Sequence, residues 1–299
     1  MRVLAIIPVV CSVAALVLSF LCLFAGSKKG FLEDYALVTL NTSRIGVDVF
    51  NTTDTSSSSN LVINWLDNLT SSIENEIEGD INSLVRSIAK DLGLHDFYSA
   101  YILNYCEGYY TPAAVPNATL RRSSIDKNVT HCSNPKDGYI FDPRVLLQAD
   151  LNRTGNSNVN LSTLQWPDAI DKGLKDLHIV SKAMFVLYCI ATAFIGVGVV
   201  LAMVGLLLDG RLSAFVNIVV DCMAFVASLL ASALATAVVV KGTHVINKYG
   251  HDIGISAKEG RWFLAITWAA TALVLVASCV WCVEGVVGCS HRRGRPKFA

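Results

Sequence analysis

Residues 184–208 read MFVLYCIATAFIGVGVVLAMVGLLL, and no charged side chain interrupts them. A bilayer core needs about 20 consecutive apolar residues in a helix. Only helices or closed barrels satisfy the backbone in lipid, and this run is continuous rather than alternating, so it predicts a transmembrane helix. Three more runs qualify. Val3–Ala25 (VLAIIPVVCSVAALVLSFLCLFA) lies upstream, and Leu212–Val240, interrupted by Asp221, and Trp262–Gly288, interrupted by Glu284, lie downstream. The expected fold class is an all-α membrane protein, a four-transmembrane-helix bundle with a large disulfide-bonded, partly helical external loop.

The expected division is span one with its flank over 1–26, a large loop over 27–183 and span two over 184–208. A short turn over 209–211 leads to span three over 212–240, a second loop over 241–261, span four over 262–288 and a basic tail over 289–299. Ala25-Gly26-Ser27 fits a signal-cleavage pattern, but the apolar run exceeds the usual 7–15 residues, which favours a retained signal anchor. Hydrophobic residues make up 53% of the chain and charged residues 16%, against about 25% charged in soluble domains. The formal net charge of zero gives no reason to expect nucleic acid as a partner. Residues 27–183 hold 19 acids and 14 bases, a net of −5, whereas the tail holds Arg292, Arg293, Arg295 and Lys297 with no acid.

Short cytoplasmic segments collect Lys and Arg, so the tail is expected inside and, counting back, the N-terminus too. Lys28 and Lys29 vote against this, but the sequons are more decisive. N-x-S/T occurs at Asn41, Asn51, Asn68, Asn117, Asn128, Asn152 and Asn160, all within 27–183 and nowhere else. N-glycosylation needs an exposed lumenal loop, so this loop is expected outside and glycosylated.

Within it, residues 41–60 are Ser/Thr-rich and read as a flexible segment. Residues 61–92 carry Trp65, Leu66, Leu69, Ile73, Ile77, Ile81, Leu84 and Ile88 at three- and four-residue steps, which predicts a helix. Cys106 and Cys132 are the only cysteines outside the spans and tail, and in an oxidising compartment such a pair forms a disulfide. Phe97, Tyr98, Tyr101, Tyr105, Tyr109 and Tyr110 crowd its edge and are expected to pack against it. Cys282 and Cys289 lie near the inner face and are candidates for S-palmitoylation.

Inside the spans, Gly198 and Ala202 form a small-x-x-x-small pair, and Ala224, Ser228, Ser232 and Thr236 form a ladder at four-residue steps. Small faces let helices approach closely, which predicts a compact bundle. Span three, Leu212–Val240, would reach about 43 Å, longer than the ~30 Å hydrocarbon core, so it should tilt or project outward. Asp221 and Glu284 are costly facing lipid. Asp221, with Asn217 one turn earlier, is expected in an interhelical hydrogen bond, with an ion pathway as the alternative, while Glu284 snorkels. No catalytic signature, metal-ligand spacing among the histidines or cofactor motif occurs, so no enzyme, metal site or cofactor is expected.

Two blocks resemble a known family. One is Leu92-Gly93-Leu94-His95-Asp96-Phe97-Tyr98-Ser99 followed by Asn104-Tyr105-Cys106-Glu107-Gly108-Tyr109. The other is Tyr249-Gly250, Gly254-Ile255-Ser256-Ala257, Gly260, Phe263-Leu264 and Thr267-Trp268. They are similar to the fungal PalI/Sur-seven family of claudin-like four-span proteins. Animal claudins carry a Gly-Leu-Trp block before the first loop cysteine, which is lacking here before Cys106. The resemblance implies plasma-membrane residence, eisosome-associated cortical patches, and effects on cell-wall integrity, endocytosis and ambient-pH signalling. The implied partners are membrane lipids, further copies or other cortical membrane proteins, and the wall. A membrane-organising role leads, because the pH-signalling members are expected to have long cytoplasmic tails. The alternatives are an accessory of ambient-pH sensing and a channel or transporter subunit using Asp221.

Overall fold

The fold is described from a computed structural model, over residues 2–45, 93–117, 119–153, 166–207 and 211–293. The helix expected over 61–92 and most of the segment 41–60 expected to be flexible therefore lie outside the described residues.

Four long apolar helices are present, each able by length and composition to cross a membrane. They are α1 (Arg2–Phe24), α3 (Asp168–Leu207), α4 (Arg211–Gly250) and α5 (Arg261–Arg293), with a short α2 (Pro143–Arg153) preceding α3. In the ring they form, α1 packs on α3 and α5, and α4 packs on α3 and α5. Their outward faces carry Val10, Val17 and Phe20 on α1, Val186, Val197 and Val200 on α3, Val219, Val226 and Leu230 on α4, and Leu275 and Val276 on α5, all exposed. Ser12, Ser19, Thr192, Asn217, Asp221, Ser228, Ser232, Thr267, Thr271 and Ser278 are buried instead. Such inversion suits lipid, where apolar surface gains nothing by hiding and small or polar side chains hold helices together.

Both inner helices, α3 and α4, run 40 residues, about 60 Å at 1.5 Å per residue and twice the hydrocarbon core. The loop-side ends of α3 and α4 pack on one another. A Cβ on Gly173 would fall 2.7 Å from Val245, and one on Gly242 would fall 3.6 Å from Leu177. Ile170, Leu174 and Leu177 seal this stalk with Trp166 and Tyr249. The stretch expected to end the loop at 183 is thus helical from Asp168, and the helix of span three continues ten residues past Val240.

The expectation of an all-α fold is corrected by a five-stranded antiparallel sheet standing on the stalk. Its order is β4-β3-β2-β1-β5, built from β1 (Val38–Asn41), β2 (Phe97–Ala100), β3 (Tyr105–Thr111), β4 (Asp126–Cys132) and β5 (Ser256–Glu259). Four strands come from the first loop and the fifth from the second. Register aligns Ala257, Leu40, Tyr98, Glu107 and His131 in one row across all five strands. The adjacent row, pointing to the other face, is Lys258, Thr39, Ser99, Cys106 and Cys132. The first face is covered by Leu147 and Leu151 of α2 and Ile246 of α4. On the second, Phe97, Tyr101, Cys106, Tyr110 and Val129 pack together.

Among the described residues, several joints fix the sheet to the bundle. Gly260 links β5 to α5 and donates its N–H to Leu37 O at 2.8 Å. A Cβ there would sit 1.8 Å from Ala36 O, a backbone atom that has no room to yield. Asn104, fully buried, donates its amide to Gly26 O at 2.6 Å at the end of α1. Arg144 of α2 pairs with Asp171 of α3, which also accepts from Trp166 Nε1 at 2.9 Å.

Candidate functional site

Two polar assemblies stand out, one in the sheet domain and one in the bundle. The first grows from the row holding Glu107. Strand β3 points this carboxylate at α2, where Asp150 sits on the helix face that buries Leu147 and Leu151. His95, just before β2, completes the group. Its Nδ1 lies 3.0 Å from Asp150 Oδ2 and 3.9 Å from Glu107 Oε2. Glu107 and Asp150 are only 2% and 3% exposed. Charge this deep needs partners. Tyr98 donates its hydroxyl to Asp150 Oδ2 at 2.5 Å. Arg153, at the solvent edge, reaches Asp150 Oδ1 at 3.1 Å and Glu107 Oε1 at 3.5 Å, and His131 Nδ1 lies 3.3 Å from Glu107 Oε1. Glu107 Oε2 has no hydrogen-bond partner. Burial, with Asp150 beside it, pushes the Tyr98 phenol well above its ordinary value, so it stays a donor. One ligand atom each from His95, Glu107 and Asp150 lies within 4.8 Å of the others. No spacing announces this set, because strand register and a helix bring it together.

On the opposite face Cys106 and Cys132 form a disulfide between directly opposed residues of β3 and β4. Phe97, Tyr101 and Tyr110 pack around it as expected of that aromatic cluster, while Tyr98 belongs to the other face. Lys127 passes over the Phe97 ring, 5.4 Å from its centre, and donates to Thr39 Oγ1 at 3.0 Å. Burial pushes its ammonium down to about 8.

Of the sequons, Asn128 and Asn152 are exposed and Asn117 is half-buried in an Asx turn that accepts from Thr119 and Leu120. Asn41 is tied into the sheet edge. Its Nδ2 donates to Val115 O at 2.6 Å and its Oδ1 accepts from Ser43 at 2.7 Å. Asn51, Asn68 and Asn160 lie outside the described residues.

In the bundle, Ser232 of α4 meets Thr267 and Thr271 of α5 at 2.9 and 2.8 Å, and Thr267 also bonds the Tyr188 hydroxyl of α3. Ala224 is fully buried, Ser228 lies nearby, and Thr236 accepts from Trp268 Nε1 at 3.2 Å. The ladder therefore faces α5. Ala202 is buried, and Gly198 makes room for Asp221, whose Oδ1 would be 2.7 Å from an added Cβ. Asn217, 1% exposed, has both side-chain polar atoms without a partner beside this carboxylate. Glu284 is half-buried near the far end of α5, and Cys282 is an exposed thiol. The side chain of Cys289 lies outside the described residues.

Four spans closed into a ring and capped by a disulfide-linked sheet define a multi-pass membrane protein with a folded extramembrane domain. The chain matches the SUR7/PalI family over residues 4–280 and belongs to that family. It is 26% identical to the SUR7 family protein pun1 of Schizosaccharomyces pombe over 199 residues, which is 65% of this chain and 64% of that protein, so the match spans less than two thirds of the relative. No solved structure matches the chain. The two sequence blocks that carry the family resemblance supply His95, Tyr98, Glu107, Cys106, Asn104 and Gly260, the residues that hold the domain together and join it to the spans.

Proposed function

We propose that this chain is a non-enzymatic organiser of cortical domains in the plasma membrane. The observation that carries the reading is the direct packing of two surfaces onto one another. An apolar belt faces the bilayer, and a sheet domain is fastened to it through Gly260, Asn104 and the α3–α4 stalk. Such a body transmits a lateral position in the membrane to whatever the domain touches. The first loop then lies outside with its glycans, and both termini lie in the cytoplasm. Its partners are membrane lipids, further copies or neighbouring cortical proteins, and the cell wall. Cys282 and Cys289 would add acyl chains at the inner face beside the basic tail. Effects on wall integrity and endocytosis follow from the placement of the patches.

A fluorescent fusion in living cells tests this. The expected result is stationary peripheral patches whose bleached fluorescence does not refill over minutes. A smooth peripheral ring that recovers within seconds would contradict the reading.

A further inference from the structure

We propose that His95, Glu107 and Asp150 form a binding site for a divalent transition-metal cation, zinc by preference, in the extramembrane domain. The proposal goes beyond membrane organisation and does not depend on it.

Three features point to a cation. The first is the donor set itself. His95, Glu107 and Asp150 come from three separate elements, and one ligand atom of each lies within 4.8 Å of the others. Ligands bound tetrahedrally to zinc at about 2.0–2.1 Å lie about 3.3–3.4 Å apart. The 3.0 and 3.9 Å separations of the His95 nitrogen from the two carboxylates bracket that value, and the carboxylates lie within reach of one ion.

The second is the unused acceptor. Glu107 is 2% exposed and its Oε2 has no hydrogen-bond partner, and a buried acceptor left unsatisfied is costly. That oxygen is turned towards His95. A cation would satisfy it without moving the strand.

The third is the arrangement of the remaining groups. Arg153 and His131 engage Oδ1 of Asp150 and Oε1 of Glu107, the outer oxygens. Tyr98 donates to Oδ2 of Asp150. Outer partners that orient ligating carboxylates are the usual surroundings of a metal centre. Two carboxylates against one guanidinium leave the group short of positive charge. An imidazole nitrogen in the set favours zinc, copper, iron or nickel over magnesium or calcium, which prefer all-oxygen cages. A fourth position is left for water. The bound ion would clamp β3, the approach to β2 and α2 together, on the sheet face opposite the disulfide.

The test uses the full-length protein in detergent, stripped with chelator and titrated with Zn²⁺ and, separately, Co²⁺. One saturable Zn²⁺ site is expected, with a rise in the melting temperature. Cobalt should give the intense visible absorption of four- or five-coordination. The near-isosteric Glu107→Gln should weaken Zn²⁺ binding at least about tenfold, with the Cys106–Cys132 bond still formed. Should that variant fail to assemble, the wild-type cobalt spectrum decides alone. A weak spectrum like that of the aqueous ion would overturn the site. So would Glu107→Gln binding Zn²⁺ as tightly as the wild type, which would assign the ion to surface histidines.

Discussion

Replacing Ser232 with leucine is expected to cost about 2–4 kcal/mol, a large share of a marginal bundle's stability. Ser232 is 1% exposed and bonds both Thr267 and Thr271. A leucine there loses two hydrogen bonds and must fit where α4 and α5 approach through Ala224, Ser228 and the threonines. The excess volume forces the helices apart, and close approach is what makes small residues adhesive in lipid. The measurement is the yield of monodisperse protein after detergent extraction, which should fall several-fold, while Ser232→Ala should retain most of it. Equal yields from the leucine variant and the wild type would mean that this face is not a helix contact.

Breaking the disulfide should have a comparable effect. The bond joins residues 26 apart, which on the chain-entropy account is worth about 3 kcal/mol. Cys106 is fully buried against Phe97 and Val129. The β3–β4 ladder still pairs these strands without the bond, so the loss should destabilise the domain rather than erase it. Cys106→Ser and Cys132→Ser should each lower the melting temperature and cause retention in the secretory pathway. The double variant should be no worse than the worse single one, because the second change removes nothing further. Labelling of both cysteines in the unreduced wild type by a thiol reagent would contradict the bond.

The spans were legible because a bilayer demands runs of apolar residues that no other constraint produces. Their helical extent was less so. Hydropathy ends at Met184, yet α3 begins at Asp168, and its signal was Ile170, Leu174 and Leu177 at helical spacing among lysines and aspartates. The sheet was hidden for a different reason. All four residues of β2 are buried, as are three of the four in β1, so the alternation that betrays a half-buried strand is missing. β5 is only four residues long and pairs with a strand over 200 positions away. The disulfide could be read from compartment and cysteine count. The His95, Glu107 and Asp150 group could not, since 12 and 43 residues separate its members and only strand register and α2 bring them together.

The central proposal is that the sheet domain stands outside the cell on a bundle whose two chain termini lie within. The most direct measurement combines glycan removal with protease protection of a C-terminal tag on intact cells. The account predicts that endoglycosidase increases gel mobility, that Asn128→Gln removes one step of that change, and that external protease leaves the tag intact. A band that does not move, with a tag cleaved from outside, would contradict it.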